Sequence, residues 1–298
     1  MHTPEHGGAA AGADPAHTVK GTGNFFAALV ARIDAHVSRS TERIQRLTGG
    51  QDVPELPACE VIWVKRAEPP HPVSLIRLYN LVMAPVPLLR SVPNPGGTDA
   101  LDNEHRRLES LAAQGVPVPR VVAQGAQWIA ISDAGTEPLQ ARLDRLKAQG
   151  DESGVLDVWT LGLHAIADAH ARGAYLSQCF ARNMVMGTDD RVHFIDFEED
   201  PGDVMTVPQA QVRDWALYVH STAFFLSDLR PAAQAMAAAI ASASSEVRES
   251  LITLMRRLRW LLRLLPQAQW LGRDIARARA AGLLLHAVLD ELEGRGRA

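Results

Sequence analysis

The chain has 298 residues, 47% apolar and 21% charged, with a formal charge of -4. That is the composition of a globular fold long enough for one two-lobed domain or two small ones. The acidic balance argues against a general nucleic-acid binder, which would carry a basic face. Two cysteines, Cys59 and Cys179, cannot build a disulfide framework, so a reducing, cytoplasmic setting is expected.

Residues 1–22 are rich in Gly, Ala, Pro and His and lack the apolar core of a secretory signal, so they read as a disordered tail. Asn24 can cap a helix running to about Leu47, with Phe25, Phe26, Leu29, Val30, Ile33, Val37, Ile44 and Leu47 near helical spacing. Gly49 and Gly50 then stop it. Residues 60–65, EVIWVK, alternate as a strand ending on Lys65. Prolines break up residues 66–99, where only a short helix near 73–84 is expected. Thr98 or Asp99 opens a helix through Gln114, with Leu101, Leu108, Leu111 and Ala112 as its apolar stripe. Glu104 falls close to the buried edge of that stripe. Residues 120–123 and 128–132 read as a hairpin, and 139–146 and 155–172 as helices. His164 and His170 in the latter lie six apart, too far round the helix to share a metal.

The stretch with most chemical content follows Gly173. Val185 and Met186, the turn residues Gly187 to Asp190, then Val192, Phe194 and Ile195 form a hairpin pattern. Asn183 precedes it and Asp196 ends it, followed by Phe197, Glu198, Glu199 and Asp200. Paired strands would bring an amide and a carboxylate together as a hard-oxygen site suited to Mg²⁺. An ordinary surface hairpin with an acidic turn fits the same residues. Cys179, in the preceding loop, reads as a small buried hydrophobe. A helix over 209–226 carries Asp214, and three more helices fill 231–292. Within them, 251–265 is amphipathic; it either packs its leucines inward or lies on a membrane surface. Strands dominate from 60 to 132 and helices after 139. The expected class is therefore α+β: an N-terminal helix and strand-rich lobe over 23–132, and a larger helical lobe over 133–298.

Four stretches in this order resemble the protein-kinase-like superfamily, nearest to bacterial lipopolysaccharide-core (Kdo) kinases and aminoglycoside/choline phosphotransferases. VIWVKR resembles the strand with the phosphate-binding lysine. NEHRRLESLAAQGVPVPRVV resembles the C helix and the strand after it. WIAISDAGTEPL resembles the hinge between lobes. LHAIADAHARGAYLSQCFARNMVMGTDDRVHFIDFEEDP resembles the catalytic and metal loops. The resemblance implies a bilobal kinase-like fold that binds ATP and Mg²⁺. Lys65 would hold the α and β phosphates and Glu104 would pair with it. Asn183 and Asp196 would hold the metal, Asp214 would anchor the catalytic loop, and Ser132 and Asp133 would begin the hinge that meets adenine. The acceptor would be a hydroxyl of a sugar, lipopolysaccharide or protein.

Two departures stand out. Counting back from Asn183 puts Gln178 where such kinases carry the catalytic aspartate, and an amide cannot accept a proton at neutral pH. Glu198, Glu199 or Asp200 could substitute for it, and Glu198 also stands where glycine is usual. The glycine-rich phosphate loop has only Gly49–Gly50 or Gly96–Gly97 as candidates. A pseudokinase that binds nucleotide or scaffolds a partner is therefore the alternative expectation.

Overall fold

The computed structural model describes residues 15–69, 92, 96–135, 137–262 and 273–295. The expected short helix near 73–84 lies outside them. Helix α1 (Pro15–Arg39) leads into strands β1 (Ile44–Thr48) and β2 (Val61–Arg66), helix α2 (Gly97–Ala113), and strands β3 (Val121–Gly125) and β4 (Trp128–Ser132). The strands form one antiparallel sheet in the order β1-β2-β4-β3. Two features differ from expectation. α1 begins at Pro15, within the span expected to be a tail. It ends at Arg39, so Ile44 and Leu47 belong to a strand rather than to the helix. The strand's own alternation, with Gln45 and Leu47 buried and Ile44 and Arg46 exposed, places its apolar side on α1 and leaves the other side for the cleft.

Each sheet face has its own core. Leu29, Ile33 and Val37 of α1 cover the outer face against Leu47, Ile62, Val64 and Ala130, and the Trp128 Nε1 donates to Asp34 Oδ1 at 2.6 Å. On the inner face, Ile129 and Ile131 join Leu101, Leu108 and Leu111 of α2 and merge with the large helical core. After Ser132 the chain runs through β5 (Glu137–Pro138) into α3 (Leu139–Gln149) and α4 (Glu152–Ala171). The second small sheet, β5-β6-β7, contains the expected hairpin: β6 (Met184–Met186) pairs antiparallel with β7 (Val192–Phe194), Met184 opposite Phe194. Helices α5 (Val207–Thr222), α6 (Leu229–Ala241), α7 (Ser245–Leu262) and α8 (Arg273–Arg295) complete the helical region. The α+β class holds, with a small antiparallel sheet followed by a helical region.

α7 buries Leu251, Leu254 and Met255 in that core, so these three residues of the apolar side considered for a membrane surface face inward; residues 259–265 of that side lie outside the described side chains. No helix among the described residues is long and apolar enough to cross a membrane. α4 and α5 are locked together by polar bonds inside the core: Tyr218 Oη donates to the Trp159 carbonyl at 2.6 Å, and Trp159 Nε1 to Thr222 Oγ1 at 3.0 Å. Gly162 makes room for that tyrosine. A Cβ there would overlap Tyr218 Oη and stand 2.8 Å from its Cζ. Gly to Ala within a helix normally gains about 1 kcal/mol. Gly162→Ala is expected to lose about 1–3 kcal/mol instead, by overpacking. Urea unfolding reads the sign directly.

Candidate functional site

The site is assembled around Lys65. On β2, Ile62 and Val64 face α1 while Trp63 and Lys65 face the other way, toward α2 and the hairpin. Along α2 the buried positions are Ala100, Leu101, Glu104, Arg107, Leu108 and Leu111. That spacing sets Glu104 inside the apolar stripe. Lys65 Nζ donates to both of its oxygens, at 2.7 and 2.9 Å, and the two side chains are only 11% and 0% exposed. Glu104 is therefore no surface charge. Asp196 Oδ1 and Glu198 Oε1 also approach the amine, at 3.7 and 3.6 Å. Burial pushes the Lys65 ammonium down, but Glu104, Asp196 and Glu198 outweigh it and the net direction is up.

Opposite Lys65, the hairpin brings Asn183 and Asp196 together as expected. Asn183 Nδ2 donates to the Gln178 carbonyl at 3.0 Å and to Asp196 Oδ2 at 3.3 Å, and Ile195 N–H donates to the Asn183 carbonyl at 3.0 Å. With its nitrogen committed to two acceptors, the amide oxygen is left for another ligand. Asp196 has φ +72°, a left-handed backbone uncommon outside glycine and often found at functional sites. Among the described residues no group of three or more His, Cys, Asp or Glu side chains is arranged to hold a metal. Asn183 and Asp196 alone suit Mg²⁺, which commonly takes one or two protein oxygens and fills its shell with phosphate and water.

The loop carrying Gln178 is pinned from beneath. Asp214 lies two turns into α5, not at its N-terminus, and is fully buried. Its Oδ2 accepts from Leu176 N–H at 2.8 Å and His170 Nε2 at 3.0 Å. Burial pushes its carboxyl up, against those bonds, which favour the charged form. Arg213 donates to the Ser177 carbonyl and pairs with Glu199 at 3.7 Å. Arg107 donates to the Tyr175 carbonyl at 2.6 Å and covers its ring at 4.0 Å. Tyr175 in turn donates to Asp200 at 2.7 Å, so Asp200 is occupied. Gln178 is half-buried, and its carboxamide makes no hydrogen bond among the described residues. Cys179 is fully buried, and desolvation pushes its thiol well up, which disfavours the reactive thiolate.

Between the sheet and the hairpin lies a cavity of about 430 Å³, lined by Ile44, Trp63, Ile131, Val185 and Ile195, with Lys65 at its polar end and Ser132 to Gly135 along one edge. Its size and apolar walls are those of a small-molecule pocket. Ser132 and Asp133 line it, but their N–H groups donate to the Arg120 and Val61 carbonyls, and Asp133 Oδ1 accepts from Trp63 Nε1 at 2.6 Å. Among the described residues, the N–H groups of this edge without a backbone partner are those of Ala134 and Gly135. Gly49–Gly50 does not reach the cavity. It forms the β1–β2 turn, where Gly50 has φ +75°, at the end of the ladder where Thr48 meets Val61; Lys65 pairs with Ile44 at the other end. Gly97 N–H donates to the Glu68 carbonyl, tying the second glycine pair to the segment after β2.

Sequence reading missed Arg43, which reaches Glu198 through two bonds of 2.6 and 2.8 Å, and Arg107 and Arg213, which hold the loop. Only Arg107 left a signal, one turn beyond Glu104 on the same stripe. No protein-family model matches the chain, and a search of curated proteins finds no relative.

Two consequences can be measured. Lys65→Met strands the Glu104 carboxylate in the interior, at an expected cost of about 3–5 kcal/mol. Adding Glu104→Gln should recover most of that loss, and a double variant as unstable as the single one would refute the pairing. Desolvation, with Asp196 and Glu198 nearby, pushes Glu199 up to about 7 from an ordinary 4.5, against the pull of Arg213. Between those values the folded chain keeps a proton that the unfolded chain has lost, so stability falls as pH rises through that window. Relative to wild type, Glu199→Gln should gain about 1–3 kcal/mol on going from pH 5 to pH 8 in magnesium-free buffer.

Proposed function

We propose that the chain is an ATP- and Mg²⁺-dependent phosphotransferase of the protein-kinase-like superfamily, with a bilobal arrangement and a hydroxyl acceptor. One observation carries the reading: a buried Lys65–Glu104 pair stands 3.7 Å from Asp196, itself bonded to Asn183, and the same Lys65 lines an apolar cavity of ligand size. The cavity receives adenine, whose polar edge meets the Ala134 and Gly135 backbone. Lys65, fixed by Glu104, holds the phosphates nearest the sugar. The Asn183 amide oxygen and Asp196 would hold Mg²⁺, which would supply charge neutralisation for the phosphates. Such chemistry asks the protein for positioning and electrostatics more than for covalent work.

The proton of the acceptor hydroxyl needs a different account. Gln178 can orient a hydroxyl but cannot take its proton. Glu199 is the better acceptor, because Arg213 holds it beside the Ser177–Gln178 loop and it titrates near neutrality. A second reading, a nucleotide-binding pseudokinase, is favoured by Gln178 itself and by the remote position of Gly49–Gly50.

A thermal-shift titration with ATP tests the first step. Millimolar ATP with Mg²⁺ should raise the melting temperature, ATP with chelator should not, and Asp196→Ala should abolish the response. A wild-type chain indifferent to ATP and Mg²⁺ refutes nucleotide binding. For the enzyme reading, slow ATP hydrolysis or transfer should fall about 10²-fold or more in Glu199→Gln. Binding without any turnover, in wild type and in Gln178→Asp alike, leaves the pseudokinase reading.

A further inference from the structure

Arg43 sits between α1 and β1, where its carbonyl accepts from Arg66 N–H at 2.8 Å and extends the β1–β2 ladder beyond the Ile44–Lys65 pair. Its guanidinium reaches the same carboxylate, Glu198, that the Lys65 amine approaches. Nη2 holds both oxygens of Glu198, at 2.6 and 2.8 Å, and Nε meets Glu68 at 2.8 Å. The same Glu198 carboxylate lies 3.6 Å from Lys65 Nζ. Two cations from the sheet region thus share one acidic group, itself only 8% exposed, two residues beyond Asp196.

A carboxylate held at both oxygens by one Arg43 nitrogen and approached by a Lys occupies the kind of seat a phosphoryl group takes, since both are anions that offer several acceptor oxygens to the same two cations. Among the described residues, no glycine-rich turn offers a cradle of backbone N–H groups over Lys65: Gly49–Gly50 lies at the far end of the ladder, residues 40–48 contain no glycine, and the Gly97 N–H is spent on the Glu68 carbonyl. The arginine is 40% exposed, and its Nη1 has no partner among the described residues, so it has capacity for an incoming anion.

Building on the nucleotide reading above, we propose that Arg43 replaces the glycine-rich loop as the cation for the outer phosphates of a nucleoside triphosphate, and that Glu198 holds that seat until the nucleotide displaces it. Glu198 is then an internal competitor, and the outer phosphates are recognised by a side chain rather than by a loop.

The test compares ATP and AMP binding to the full chain with Mg²⁺, by calorimetry, in wild type, Arg43→Ala and Glu198→Gln. AMP lacks the outer phosphates and is the internal control. Arg43→Ala should weaken ATP about tenfold or more and change AMP by less than about twofold, in line with loss of a charge-assisted bond. Glu198→Gln should tighten ATP about threefold or more, because an amide competes poorly for two cations. Arg43→Gln, close in length but uncharged, serves if the alanine chain does not fold. ATP binding unchanged by loss of the Arg43 charge overturns the proposal while leaving the nucleotide reading intact. Weaker ATP binding in Glu198→Gln overturns it too, by assigning Glu198 to the bound ligand. A wild type that binds neither nucleotide sinks the nucleotide reading as well.

Discussion

The buried contact between Lys65 and Glu104 is the constraint from which the site follows. Removing an ammonium and a carboxylate from water costs several kcal/mol per ion, and their mutual attraction repays this only with good geometry. Here the geometry is bidentate, and it requires β2 and α2 to keep one register. α2 meets that requirement by burying Leu101, Leu108 and Leu111 under the inner sheet face. The same helix then extends Arg107 to the Tyr175 carbonyl and Arg106 to Asp200, the latter at 3.3 Å. One helix thus ties the amine on the sheet to the loop carrying Gln178 and to the acidic turn after Asp196. A shift in any of the three would separate charges that are costly to leave unpaired.

The opposite wall is held by a different device. Asp214, His170 and Trp215 form a buried group beneath the loop: the carboxylate takes Leu176 N–H and the imidazole, and the imidazole meets the Trp215 ring edge-on at 5.3 Å. Gln211 adds bonds to the Ala174 and His170 carbonyls. An irregular loop cannot satisfy its own backbone groups, and here buried side chains from α4 and α5 do it instead. That support lets Asp196 keep its left-handed backbone, because the hairpin on one side and the Phe197 side chain buried in the core on the other fix the chain around it.

Much of this is visible in the sequence where periodicity carries it. The hairpin was legible because β6 and β7 flank a Gly-Thr-Asp-Asp turn. Glu104 was legible because a charged residue inside a helical stripe is anomalous. β1 was not, because Ile33, Val37 and Ile44 share helical spacing by coincidence, and only the partner strand reveals the alternation. Arg43 left no trace: its contact with Glu198 spans 155 residues, and an exposed-looking arginine before a strand resembles any other. Ser132 to Gly135, expected as a hinge, line the cavity, but which of their N–H groups remain available depends on how β2 and β4 pair, and that is settled only when the sheet forms.

On the phosphotransferase reading, Gln178 in place of a catalytic aspartate weighs less than it first suggests. General-base assistance contributes about 10²–10⁴ in rate, whereas positioning and electrostatic stabilisation supply the larger share of phosphoryl transfer. On that reading, the buried charges of the site are the expensive part. Among the described residues, the three carboxylates of Glu104, Asp196 and Glu198 share the two cations Lys65 and Arg43, a local excess of negative charge in a partly desolvated cleft. Scaffolding alone gives no reason to maintain such an arrangement, since apolar replacements of similar volume are often neutral or stabilising. A divalent cation arriving with a polyphosphate would relieve the excess and satisfy both cations at once. On the proposed reading, the strain among these acidic groups in the free chain is what makes binding dependent on metal and nucleotide together, because a bare anion would meet like charge and a bare cation would lack the phosphate oxygens that complete its shell.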